Sequence, residues 1–99
     1  MARFIVSLRL PDVFDDALME IIPRHRAFIN HLIAENVVET YAISADRARG
    51  WVTMNGEDAD EVRAIVEQFP LYDFFSHIEI DELFLFDSVA SRLPRISLN

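Results

Sequence analysis

The chain has 99 residues, 52% of them hydrophobic, and a formal charge of −8 from 17 acidic side chains against nine arginines. That length predicts one small domain that buries roughly 60 to 65% of its unfolded surface, so a partner subunit would help it considerably. The acidic balance argues against nucleic acid or an anionic membrane as a partner. The absence of lysine excludes Schiff-base chemistry and a phosphate-loop lysine, and the absence of cysteine excludes disulfides, thiolate nucleophiles and thiolate metal sites.

Met1 to Val6 run straight into a strand pattern with no apolar leader block, and no stretch reaches the ~20 apolar residues that span a bilayer. A soluble cytoplasmic protein is the expectation. Arg3 to Leu10 alternate, with Phe4, Val6, Leu8 and Leu10 on one face and Arg3, Ile5, Ser7 and Arg9 on the other, which predicts a first strand broken by Pro11. Phe14, Ala17, Leu18, Ile21, Ile22, Phe28, Ile29, Leu32 and Ile33 then recur every three or four positions. They predict an amphipathic helix from about Phe14 to Glu35, stopped where Asn36 can turn left-handed. His25 fills the one step missing from that stripe, so an imidazole is aimed into the core. Pro23 predicts a kink and a free carbonyl one turn back, near Met19, which is one candidate partner for the ring.

A second strand is expected over Val37 to Ser44, a turn over Ala45 to Ala48, and a third strand over Arg49 to Asn55, making a hairpin. Asp58 and Glu61 have capping-box spacing ahead of a second helix that buries Val62, Ile65, Val66 and Phe69 and is stopped by Pro70. A last strand runs from about Ser76 to Phe86. The order is βαββαβ, an α+β ferredoxin-like arrangement with an antiparallel sheet in the order 4-1-3-2 and both helices on one face. Residues 1–87 form this subunit; 88–99, with Val89, Leu93, Ile96 and Leu98, are read as an arm or tail.

The other sheet face should carry Arg3, Ile5, Ser7 and Arg9 beside His77, Glu79 and Asp81, with Arg3 and Arg9 paired to Glu79 and Asp81 across neighbouring strands. With Ile5, Leu83, Leu85 and Trp51 among them, that face is too apolar for plain solvent and too charged for a dry core. A second copy packed over it, as in a homodimer, fits best.

Gln68-Phe69-Pro70-Leu71-Tyr72, followed by Ile78-Glu79-Ile80, resembles the helix-end and final-strand signature of muconolactone isomerase-like proteins of the dimeric α+β barrel superfamily; the Leu10-Pro11 junction is also similar. The resemblance implies a ferredoxin-like subunit whose sheet pairs with a second copy, sometimes in larger rings, and a small-molecule pocket between helices and sheet. Muconolactone isomerases move a double bond in a lactone carboxylic acid by proton transfer. This chain departs from them at His25, where the isomerases carry an acidic residue, and in Tyr41 to Trp51, where theirs is a tract rich in tryptophan, arginine and glycine. The architecture therefore carries over and the substrate does not.

For His25 the functional reading is a general acid/base, kept neutral by desolvation; the alternative is a buried histidine satisfied by a backbone carbonyl. Arg24 and Arg49 are candidates for holding a carboxylate, as are Arg9, Arg26 and Arg47, and each is also readable as a solvated surface arginine. Tyr41 and Trp51 are placed in a pocket wall or in the dimer core, and Tyr72 over a pocket. His25 and His31 lie on different helix faces, so no metal site is expected, and no cofactor. Three functions remain: a cofactor-free isomerase or lyase acting on a small acidic molecule, a non-catalytic small-ligand or haem-handling protein, and a structural dimer.

Overall fold

The computed structural model describes residues 1–89. Their elements are β1 (Ala2–Arg9), α1 (Asp16–Ala34), β2 (Val38–Ile43), β3 (Arg49–Gly56), α2 (Ala59–Val66), a 3₁₀ turn (Tyr72–Phe74) and β4 (His77–Glu82). The strands form one antiparallel sheet in the order β2-β3-β1-β4, the expected order read from the other edge. Phe4, Val6 and Leu8 of β1 lie opposite Met54, Val52 and Gly50 of β3, and this face is buried beneath the helices with Leu18, Ile29, Val62 and Val66. Of the expected arm, Leu93, Ile96 and Leu98 lie outside the described residues.

Local chemistry fixes the helix ends. The Asp15 carboxylate accepts the Leu18 N–H at 2.9 Å and that of Asp58 accepts the Glu61 N–H at 2.8 Å, satisfying donors that have no partner within the helix. Asn36 takes φ 64° just past α1, and Arg47 takes the same value in the hairpin turn, where Asp46 accepts the Ala48 N–H. α1 runs through Pro23, and both Pro23 and Met19 lie on its exposed side, where water can meet the freed carbonyl.

Several expectations are corrected. The buried stripe of α1 is Leu18, His25, Ile29 and Leu32; Ala17 and Ile33 face outward, because only about a 100° sector meets the sheet. α2 ends at Val66 rather than at Pro70: Gln68 and Phe69 donate to Ile65 and Val66, tightening the chain into a turn that still buries Phe69. β4 stops at Glu82, although Leu83 still donates to the Arg3 carbonyl. Arg3 and Arg9 do not pair with Glu79 and Asp81. Arg3 reaches over β3 to Glu39, with Nη2 and Oε2 3.0 Å apart, and lies 4.5 Å from the Phe86 ring centroid. Glu79 instead accepts from His77 at 3.1 Å, and Arg9 faces His77 and Arg49.

The Arg3 partnership comes from a β-bulge. Val38 pairs with Met54 and Thr40 with Thr53, so Glu39 is one extra residue in β2 and its side chain is re-aimed across the sheet. Beyond it, Thr40 and Thr53 share a hydroxyl hydrogen bond of 2.6 Å on the open face.

Candidate functional site

His25 points into the core and is 2% exposed, as its place in the apolar stripe requires. Its ring is boxed by Tyr41, Phe69 and Phe75, with centroids 5.7, 5.6 and 6.4 Å away and the two phenylalanines edge-on. Nδ1 accepts the Leu71 N–H at 3.4 Å, and Nε2 lies 2.7 Å from the Tyr41 hydroxyl. The expected backbone carbonyl is therefore replaced by a backbone N–H. That reversal decides the tautomer: if Nδ1 accepts, the neutral ring carries its proton on Nε2 and donates it to the Tyr41 oxygen. Burial lowers the His25 pKa to about 4, so the ring is neutral at pH 7.

Tyr41 sits on β2 opposite Val52, on the helix side of the sheet. Burial raises its pKa to about 12, partly countered by the charge of Arg26 on α1. Since its oxygen accepts from His25, its own hydrogen points away from the ring. The arrangement is a neutral phenol at the sheet edge, with an imidazole N–H behind it and a guanidinium nearby.

The remaining candidates lie apart from this pair. Arg49 and Trp51 are on the opposite face of the sheet, lining a depression of about 300 Å³ together with Ser7, Arg9, His77 and Glu79. Arg24 lines a groove with Ala17, Glu20, Ile21 and Phe74, and Tyr72 a third with Arg63, Phe75 and His77. The sequence order of the candidates hides this division. Sequence reading placed Arg9 and His77 on one sheet face but missed that Arg49 stands directly opposite Arg9; the signal was in the strand register, which a one-residue slip would have erased. Among the described residues no three His, Asp or Glu side chains are grouped to hold a metal ion, and no helix is long and apolar enough to cross a membrane.

Among solved structures, muconolactone isomerase matches with a TM-score of 0.69 at 19% sequence identity, covering 94% of this chain and 99% of that one. The 5-chloro-2-hydroxyhydroquinone dehydrochlorinase of Burkholderia phenoliruptrix, solved with 2,5-dihydroxybenzoquinone, matches with a TM-score of 0.66 at 17% identity, covering 80% of this chain and 90% of that one. These likenesses show the fold: the ferredoxin-like α+β subunit implied by the resemblance around Gln68 to Tyr72 is present. No protein-family model and no curated protein sequence matches the chain.

Proposed function

We propose that the chain is a subunit of a self-associating α+β barrel protein that transfers a proton on a small, acidic organic molecule, as a cofactor-free isomerase or lyase. The observation that carries this reading is the 2.7 Å contact between His25 Nε2 and the Tyr41 hydroxyl. Tyr41 is the proton donor, and the phenolate it leaves takes back the proton that the substrate loses from a second position, so no net proton is consumed. As its O–H is given up, the phenolate oxygen keeps the hydrogen bond from His25 Nε2–H and the favourable field of Arg26, both already in place. Arg26 also favours an anionic substrate at this edge. His25 thus acts as a fixed donor to Tyr41, with Leu71 N–H holding its tautomer.

Two features support the companion claim of self-association. The open sheet face carries Ile5, Trp51 and the part-buried Thr40–Thr53 hydrogen bond, and Phe84, Leu85 and Val89 are exposed beyond β4. The relatives named above are, by their names, an isomerase and a dehydrochlorinase of small oxygenated molecules, which fits the reaction class.

The second reading, a structural dimer, is favoured by the engagement of both His25 nitrogens inside an aromatic box. Deuterium exchange from solvent into muconolactone and into 5-chloro-2-hydroxyhydroquinone, followed by NMR with the purified protein, separates the two. Turnover of either compound that falls ~10²-fold or more in Tyr41→Phe supports proton transfer, since general acid catalysis contributes about that much. No exchange with either compound, or equal rates in wild type and Tyr41→Phe, supports the structural reading. Sedimentation equilibrium tests the assembly, and a monomer at micromolar concentration would count against it.

A further inference from the structure

Two copies of a chain with a formal charge of −8 repel one another, so a face that joins them must set opposite charges against each other. The open face of the sheet is divided in a way that can do so. At one end, β1 pairs with β3 and β4 so that Arg9 lies directly opposite Arg49 on one side and His77 on the other. Like charges in directly opposed positions destabilise a sheet. Among the described residues neither arginine makes an ion pair, and exposed Asp46, in the hairpin turn, is the acid that feels the charge of Arg49. Along the β4 edge of the same face stand Glu79, opposite Ser7, and Asp81, opposite Ile5, both exposed. Glu79 bonds only His77, and no ion pair among the described residues includes Asp81. Between the basic end and the acidic edge lie Ile5, Ser7, Trp51 and Thr53, and at the far end Arg3 is already engaged by Glu39.

Granting the self-association proposed above, on which this rests, we propose that the Arg9–Arg49 end of each copy docks on the Glu79–Asp81 edge of the other, about a twofold axis oblique to the strands. Face-to-face packing puts that axis in the plane between the two sheets, and charge excludes the two simpler directions for it. An axis along the strands keeps each residue at its own level and lays basic end on basic end. An axis across the strands keeps their order and lays β4 on β4, acid on acid. An oblique axis exchanges the end with the edge, and the strands of the two sheets then cross steeply, as in orthogonal sheet packing. Each contact occurs twice, and Arg9 and Arg49 meet carboxylates that can take a two-pronged hydrogen bond. Ile5 and Trp51 fill the apolar middle.

Two complementary charge reversals test this pairing. Arg9→Glu/Arg49→Glu and Glu79→Arg/Asp81→Arg each set like against like in a homodimer, and each should weaken self-association about a hundredfold or more in sedimentation equilibrium, with an unchanged circular dichroism spectrum. Mixed in equal amounts, the two variants restore both contacts, and the mixture should return to the wild-type mass at a concentration where either alone is monomeric. Arg9→Gln/Arg49→Gln, which relieves the repulsion inside the chain, should still weaken association about tenfold or more. Trp51 is the one tryptophan of the chain and lies in the middle of the face, so its emission should be bluer in the wild type and in the mixture than in either reversal variant alone. The pairing is overturned if the reversal or glutamine variants associate as the wild type does, if the mixture stays monomeric, or if Trp51 emission in an associated wild type is no bluer than in the monomeric variants. A monomeric wild type overturns the self-association itself, and the pairing with it.

Discussion

Tyr41 meets His25 because Glu39 is an extra residue in β2. Val38 and Tyr41 are three positions apart, so strict alternation would send them to opposite faces of the sheet; the bulge at Glu39 returns both to the helix side. The same bulge aims Glu39 at Arg3. One inserted residue thus sets both the buried hydrogen bond of the core and the ion pair of the open face.

Removing the Tyr41 hydroxyl strands a buried donor. Tyr41→Phe leaves His25 Nε2–H without its acceptor, and the expected destabilisation is about 1–3 kcal/mol in urea unfolding. The double variant His25→Leu/Tyr41→Phe replaces both partners by apolar groups and should cost less than the two single changes added together, with a coupling of at least about 1 kcal/mol. Additive losses would show that the 2.7 Å contact carries no energy.

Stability should depend on pH through His25. Its pKa is depressed from 6.5 to about 4 in the folded chain, so between these values the unfolded chain takes up a proton that the native chain does not. Stability from this group is therefore complete above pH 6.5 and is lost as pH falls toward 4. At about 1.4 kcal/mol per unit, the loss amounts to about 3 kcal/mol across the window. Comparing wild type with His25→Leu isolates it, because the acidic side chains are common to both. A constant difference between the two from pH 7 to pH 4 would contradict the buried, neutral ring.

The Arg3–Glu39 pair is part-exposed, with side chains 35% and 23% accessible, so its contribution is small despite two hydrogen bonds. A double-mutant cycle with Arg3→Ala and Glu39→Gln should give a coupling of about 0.2–1 kcal/mol that shrinks in high salt. Arg3→Ala should cost more than Glu39→Gln, because it also removes the contact with the Phe86 ring.

Two glycines in β3 should respond differently to alanine. At Gly56 a Cβ would meet Val62 Cγ2 at 2.8 Å, and a branched valine at the heart of α2 has little freedom to move. Overpacking of about 1–3 kcal/mol is expected. At Gly50 the clash, also 2.8 Å, is with the Cδ1 end of Ile43, which is 39% exposed and can swing away. Gly56→Ala should lower the melting temperature markedly more than Gly50→Ala, and the opposite ranking would show that α2 can shift off the sheet.

Alternation in β1, the apolar period of α1 and the turn and cap residues were enough to specify the element order, the strand order and the inward direction of His25. These are local signals, and each repeats over several residues, so one irregular position does not erase them. What the sequence alone left open was decided by single residues and by register. Nothing in the composition of β2 marks Glu39 as a bulge, yet that residue chooses the face of Tyr41 and hence the partner of His25. Likewise, Arg9, Arg49 and His77 are 40 and 28 residues apart in the chain, and only the pairing of β1 with both neighbours makes them one cluster. Local patterning decides which residues are buried, because burial follows from periodicity; which buried or charged groups touch depends on long-range register, and that is settled only when the strands pair.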